Sequence, residues 1–285
     1  MDIISSLHDM QQRVLLTRSL NKRIAFVPTM GYLHAGHLSL IDEARKRGDV
    51  VVLSIFVNPT QFGQGEDFED YPRDLERDSS LAKGAGVDII FAPSARDMYP
   101  NGYATYVDVE GITQTLCGAS RPGHFRGVTT VVSKLFHIVQ PHVAIFGNKD
   151  FQQLAVIRRM TEDLNMAVEI VGMPIFREAD GLAMSSRNVY LSADQRQQAL
   201  ALSQSLAKAR ELVAAGKLDC ELIIAELKGL ISRQPEARID YIQICHQRTL
   251  ADQLQVDHDS VLLMAVFIGQ TRLIDNGLLM EKPQQ

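Results

Sequence analysis

The run from Ile24 to Leu40, IAFVPTMGYLHAGHLSL, decides how this chain folds. Ile24–Val27 is a short apolar strand and PTMG a turn. His34-Ala35-Gly36-His37 then opens an amphipathic helix with Leu38, Ile41 and Ala44 on one stripe. A helix N-terminus carries unpaired backbone N–H groups and about half a positive charge, so it attracts phosphate. Gly31 and Gly36 let the backbone approach a ligand where a Cβ would collide. The two imidazoles, three residues apart, stand beside that anion site as hydrogen-bond donors. An HxxH pair alone fits an ordinary surface turn equally well. The strand before it and the helix after it are what point to a nucleotide α-phosphate site.

Outward from this run, strand-like and helix-like segments alternate. Val50–Val57, Val87–Phe91, Val143–Gly147 and Val168–Val171 are short, apolar and rich in β-branched residues. Between them, Val128, Val131, Val132, Leu135, Phe136 and Val139 keep helical spacing, as do Leu154, Ile157 and Leu164. Apolar strands alternating with amphipathic helices predict an α/β fold, a Rossmann-like, doubly wound parallel sheet covered on both faces. Tyr103–Val109 alternates instead and reads as a half-exposed strand; Tyr71-Pro72-Arg73 reads as a helix start with proline in its first turn. Past Met173-Pro174 the texture changes. Ser192 caps a helix through Val213 that Gly216 stops, and a second helix carries Ile223, Leu227, Leu230 and Ile231. Strands at Ile239–Cys245, Val261–Phe267 and Arg272–Ile274 follow. The expectation is a Rossmann-like nucleotide- and substrate-binding domain over 1–176 and a smaller C-terminal α+β domain over 177–285, ending in a disordered EKPQQ tail.

Composition narrows the function. The 285 residues carry 46% hydrophobic and 22% charged side chains, ordinary for a globular protein with buried cores. Net charge is −5, from 29 Lys+Arg against 34 Asp+Glu, which leaves no electrostatic footprint for nucleic acid. Cys117, Cys220 and Cys245 are dispersed, odd in number and free of any CxxC, so neither a disulfide framework nor a zinc site is expected, and a reducing cytoplasm fits. MDIISSLHDMQQRV lacks the basic start and apolar core of a signal peptide, and no run of 18 apolar residues is present to span a membrane.

Four further segments suit chemistry better than packing. Asn58-Pro59-Thr60-Gln61 follows the second strand, so Asn58 and Gln61 lie at the same sheet mouth as His34 and His37. Their amides offer donors and acceptors to hydroxyl and carboxylate groups, although Asn-Pro-Thr also simply builds a turn. Gly118–Gly127 (GASRPGHFRG) is a Gly-rich, doubly basic loop. It reads either as a mobile cover over an anion or as solvated charge at Arg121 and Arg126, with the role of His124 open. Gly147-Asn148-Lys149-Asp150 is another strand end entering a helix. Gly147 admits a close ligand and Lys149 supplies a point charge for phosphate. Asp150 suits ribose hydroxyls or a helix cap, and Gln153 faces the site one turn on. Met184-Ser185-Ser186-Arg187 places two hydroxyls beside a guanidinium, a phosphate clamp or a polar hinge.

With PTMGYLHAGH, SIFVNPTQF, RPGHFRGV, KLF, FGNKDFQQL and GLAMSSRN in order, and LIDN near Asn276, the chain resembles the pantothenate synthetase (pantoate–β-alanine ligase) family, of the HxGH nucleotidyltransferase superfamily. HxGH is shared widely; FVNPTQF, GHFRGV and SSRN are far more specific. Ala35 and Asn148 stand where acidic residues are usual in that family.

The resemblance implies an ATP- and magnesium-dependent enzyme whose first domain binds nucleotide and pantoate. Pantoate attacks the α-phosphorus of ATP, releasing pyrophosphate, and the β-alanine amine then displaces AMP from pantoyl adenylate. By the same resemblance His34, His37 and Lys149 are catalytic. Met30, Gly31, His34, Gly36, His37, Gly147, Lys149, Asp150, Met184, Ser185, Ser186 and Arg187 bind ATP. Gln61, Gln153 and Asn58 bind pantoate and β-alanine, the metal ligands are unspecified, and the enzyme is a homodimer. A nucleotidyltransferase that stops at the nucleotidyl product is the nearest rival. A tRNA-charging enzyme is disfavoured by the charge, and a silent nucleotide-binding module by the presence of both histidines and Lys149.

Overall fold

The computed structural model describes residues 1–63 and 65–280; the tail expected to be disordered, 281–285, lies outside the described residues. Six parallel strands form the larger sheet: β1 (Asp2–Ile4), β2 (Ile24–Thr29), β3 (Val50–Ile55), β4 (Ile89–Phe91), β5 (Val143–Gly147) and β6 (Glu169–Met173), in the order β1-β4-β3-β2-β5-β6. Helices α1 (Leu7–Ser19), α2 (Ala35–Arg47), α3 (Leu75–Gly84), α4 (Ala95–Met98), α5 (Cys117–Ser120), α6 (His124–Val139) and α7 (Phe151–Asp163) connect them. Alternate residues of each strand feed two cores. Phe26, Phe91 and Phe146 pack with α1, α6 and α7; Val27, Leu53 and Ile145 pack with α2 and α3. That is the doubly wound α/β sheet the near-continuous apolar strands predict.

Strand order reverses between β2 and β5, the place where such sheets bind ligands. β2 pairs with β3 over Ile24 to Thr29, but with β5 only at Ala25–Val143 and Phe26–Ala144. The carboxyl-terminal halves of β2 and β5 therefore part, and a crevice opens between the segments that follow them.

Three local readings are corrected. Tyr103–Val109 is not a strand: the Val107 N–H donates to Thr130 Oγ1 and the Val107 carbonyl accepts from Thr129 Oγ1, so α6 side chains satisfy this backbone instead of a neighbouring strand. The helix expected at Tyr71 begins at Leu75, because Asp74 caps it by accepting from the Arg77 N–H. The short edge strand β1 lies in MDII, a segment whose pattern does not announce it.

The smaller part follows the predicted plan. Helices α8 (Ala193–Ala214) and α9 (Cys220–Ile231) precede β7 (Ala237–His246), β8 (Ser260–Ile268) and β9 (Thr271–Leu278), an antiparallel sheet in the order β7-β8-β9. Ser192 caps α8 reciprocally with Gln195, and Gly216 sits just past its end at φ +80°. Leu202, Leu206, Ile223, Leu227, Leu262 and Met264 form its own core. A small cluster of Leu116, Cys245, Leu250, Val261 and Leu263, with Phe151 and Ala155 packed on it, joins this sheet to the end of the crevice.

Candidate active site

Everything near the crevice starts from how the PTMG turn is held. Thr29 Oγ1 donates to the Ser54 carbonyl and accepts the Gly31 N–H, bending the chain as β2 ends. Gly31 then adopts φ +86° and Tyr32 φ +50°. A Cβ on Gly31 would stand 3.0 Å from Asp78 Oδ2, so only glycine fits. The buried Asp78 carboxylate accepts the Tyr32 and Leu33 N–H groups, each at 2.7 Å. Arg77 closes the bracket by donating to the Leu33 carbonyl at 2.9 Å. Sequence reading missed Asp78. Its partners are backbone groups 46 and 45 residues upstream, and no local pattern encodes such a pairing.

This bracket aims the first turn of α2 into the crevice. His34 and His37 stack with ring centroids 3.9 Å apart, and a Cβ at Gly36 would come within 3.0 Å of the His34 ring. His37 Nδ1 accepts the His34 N–H at 3.3 Å. Burial, then the charge of Lys149, pulls the His34 pKa down to about 4. Burial, followed by His34 and Lys149, lowers His37 well below its ordinary value. Both rings are therefore neutral near pH 7. With Nδ1 of His37 used as an acceptor, its proton resides on Nε2, which leaves a neutral N–H donor.

A cavity of about 240 Å3 lies beside these rings. Met30, His34, Gly36, His37, Asn58, Gln61, Gly147, Lys149, Asp150, Gln153, Met184, Ser185, Ser186 and Arg187 line it; of the predicted residues only Gly31 does not, because it is spent on the turn behind His34. Neither the Lys149 ammonium nor the Gln153 amide has a hydrogen-bond or ion-pair partner among the described residues. Asp150 begins α7 without a side-chain capping bond, which leaves its carboxylate for the cavity. The Gly36 N–H donates to Met184 Sδ at 3.4 Å, joining the HxGH turn to the Met184–Arg187 segment.

Asn58 lines the same cavity, with its amide already bonded to protein groups. It is buried, and its Nδ2 donates to Gln61 Oε1 and the Gly127 carbonyl, both at 3.1 Å. Its Oδ1 accepts from Thr60 and, at 2.8 Å, from the Tyr99 hydroxyl. That amide is fully engaged. It aims Gln61, whose Nε2 lies 3.1 Å from Met30 Sδ. Gly127 serves the same end: a Cβ there would meet the Thr60 carbonyl at 2.3 Å, so glycine lets α6 press against the turn that carries Gln61.

The basic loop is shorter than expected, since α5 and α6 take up most of Gly118–Gly127. Arg121 is not a solvated charge: it forms an ion pair with Glu66 at 2.5 Å and contacts His124 Nε2 at 3.1 Å. His124 Nδ1 lies 2.8 Å from the Gln61 carbonyl, and burial followed by the Arg121 charge lowers its pKa to about 4. Arg126 instead stacks over Tyr106 at 4.0 Å. Arg187 likewise has a partner already, Asp67, through Nε at 2.9 Å and Nη2 at 2.7 Å. Gln152, beside Gln153, turns inward to the Ile112 and Thr115 carbonyls and the Cys117 N–H, a framework role that sequence reading did not identify.

Comparison with known proteins agrees along the whole length. The family model described as pantoate-beta-alanine ligase matches residues 2–278. A pantothenate synthetase of Syntrophotalea carbinolica is 61% identical over 282 residues, covering 99% of this chain and 100% of that protein. One from Geobacter sulfurreducens is 58% identical over 282 residues, with 99% and 100% covered. Among solved structures, a pantothenate synthetase of Thermus thermophilus superimposes with a TM-score of 0.94 at 46% identity, covering 99% of this chain and 100% of that one. A pantoate-beta-alanine ligase of Francisella tularensis, solved with beta-gamma ATP and beta-alanine, gives 0.81 at 33% identity, with both chains fully covered (100%).

Proposed function

This chain belongs to the pantoate–β-alanine ligase family and joins pantoate to β-alanine through an amide bond; we propose that it does so in two steps at the cavity beside His34 and His37. A pantoate carboxylate oxygen attacks the α-phosphorus of ATP, the bond to the bridging oxygen breaks, and pyrophosphate leaves. The β-alanine amine then attacks the acyl carbon of pantoyl adenylate, and AMP departs with its oxygen as the amine loses a proton. One observation carries the reading: two neutral imidazoles and a lysine with no ion-pair partner among the described residues face one cavity at the strand-order reversal.

In-line attack piles negative charge on the α-phosphate, so catalysis is positioning plus electrostatic stabilisation. His37 donates Nε2–H to that charge with no protonation step, and His34 stands against it. Lys149, Ser185, Ser186 and Arg187 neutralise the phosphates and the leaving pyrophosphate. Arg187 must exchange Asp67 for phosphate to do so. Met30, Gly31, Gly36, Gly147, Asp150 and Met184 line the nucleotide. Gln61 and Gln153 hold pantoate, with Gln61 also near β-alanine, while Asn58 acts through Gln61.

Among the described residues no three His, Cys, Asp or Glu side chains gather into a metal cage. That suits Mg2+ arriving on the triphosphate, mostly hydrated, where it would offset phosphate charge. We place the domain boundary between 176 and 177, consistent with the separate cores on either side, and assign the smaller domain the task of closing over ATP to exclude water. Superimposable scattering profiles with and without ATP would rule out a large closure. A homodimer follows from the family resemblance; a monomeric mass in light scattering would refute it. The three cysteines are free and no helix among the described residues is long and apolar enough to cross a membrane, both consistent with the cytoplasm.

The decisive assay follows pyrophosphate and AMP from ATP plus pantoate, with and without β-alanine. AMP and pantothenate that appear only when β-alanine is added support the two-step ligase. Pyrophosphate release that β-alanine leaves unchanged would make the chain an adenylyltransferase for another acceptor.

A further inference from the structure

Two consecutive residues of β9, Asp275 and Asn276, are buried and polar inside a strand whose neighbours are apolar. Neither touches the cavity's histidines, yet each is tied to a segment that lines the site. The Asn276 amide donates both of its hydrogens inward, to the Asn148 carbonyl at 3.0 Å and the Lys149 carbonyl at 2.8 Å. These carbonyls belong to the single turn of 3₁₀ helix, Asn148–Asp150, that presents the Lys149 ammonium. Asp275 grips Arg177 with both oxygens at 2.8 Å, and Arg177 in turn donates to the Gly181 carbonyl at 3.0 Å. Arg177 also bridges to Ala183, so it closes the hairpin that leads directly into Met184–Arg187.

We infer that Asp275 and Asn276 are positioning residues that fix the distance between Lys149 and the Ser185–Arg187 clamp, so that the smaller sheet gauges the triphosphate site. The inference rests on the assignment of Lys149 and Ser185–Arg187 to the ATP phosphates. The physical case is an accounting of hydrogen bonds. A turn one residue past a strand end has few backbone partners of its own, and the Asn148 and Lys149 carbonyls find theirs on β9. Only a side chain with two donors on one nitrogen serves both carbonyls at once; an aspartate there would meet them with oxygens. Asp275 is 2% exposed, so its charge is tolerable only with Arg177 in place. The same dipeptide thus holds both halves of the clamp, and displacing either by about 1 Å costs rate without touching a reacting atom.

The test measures initial rates of pyrophosphate release from ATP and pantoate at saturating β-alanine by the full chain, in Asn276→Leu, Lys149→Met and the double variant. Asn276→Leu should raise the KM for ATP on the order of tenfold and leave the KM for pantoate unchanged. In the Lys149→Met background it should add almost nothing, because it acts through that lysine. Asp275→Asn, which weakens the hold on Arg177, should raise the ATP KM as well. Asn276→Ser keeps one donor and should fall between wild type and Asn276→Leu, serving in its place if the leucine variant does not fold. An Asn276→Leu enzyme with a lowered Tm but a wild-type KM for ATP would make Asn276 merely structural and overturn the inference. So would a full additional loss in the double variant. Lys149→Met with unchanged ATP kinetics would instead overturn the phosphate assignment itself, which separates the two failures.

Discussion

The two sides of the proposed phosphate site are built on opposite principles. On the HxGH side, Asp78 holds the turn through backbone N–H groups, Gly31 and Gly36 leave no spare room, and the imidazoles are neutral donors with nothing to let go before ligand arrives. On the other side the two guanidiniums are occupied, Arg187 by Asp67 and Arg121 by Glu66, both acids from one segment after the Pro59–Gln61 turn. A preorganised donor gains most from ATP at no rearrangement cost, whereas an occupied guanidinium must first give up a carboxylate. The first side should therefore carry the chemistry and the second should tune affinity.

The sharpest way to break this contrast is His37→Ala. It should lower the adenylation rate on the order of 10²–10³-fold with little loss of fold, as for one lost transition-state donor; near-normal turnover would remove the HxGH side from the chemistry. Next is Asp78→Ala, which strands the Tyr32 and Leu33 N–H groups. It should cost about 3 kcal/mol of stability in denaturant titration, with a slower adenylation step.

A subtler expectation is acid sensitivity. His34 and His124 have folded pKa values of about 4, below the unfolded value, so the unfolded state takes up protons first as pH falls. Stability should be complete above about pH 7.5 and decline towards pH 4, by about 2 kcal/mol per histidine at pH 5. His34→Gln should flatten that slope when midpoints at pH 7 and 5 are compared. The smallest effect sharpens the other side: Asp67→Asn frees Arg187 and should lower the KM for ATP about threefold, since a partly exposed pair is worth roughly 1 kcal/mol or less. A rise in KM would mean that Asp67 orients Arg187 instead of blocking it.

The same contrast explains what was legible from sequence. Strand–turn–HxGH–helix is a local pattern, set by apolar period and two glycines, so Ile24–Leu40 declared both the sheet and the histidines that line its crevice. Lys149 and Gly147 were legible for the same reason, at the end of β5. What joins distant segments was not. Asp78 bracketing Tyr32, Asn276 holding Lys149, and Glu66 and Asp67 pairing with Arg121 and Arg187 each depend on a fold already formed. Tyr103–Val109 shows the opposite error, a strand-like alternation whose backbone bonds went to α6 hydroxyls. Residue type likewise does not reveal that both donors of Asn58, which lines the cavity, are already bonded to protein.

Whether this site directs a carboxylate at the α-phosphorus of ATP can be read from pantoate labelled with 18O in its carboxylate. After complete turnover with β-alanine, one labelled oxygen should appear in AMP and none in pyrophosphate or inorganic phosphate. Label in inorganic phosphate would mean attack at the γ-phosphorus and an acyl phosphate, and would contradict the assignment of His34, His37 and Lys149 to the α-phosphate.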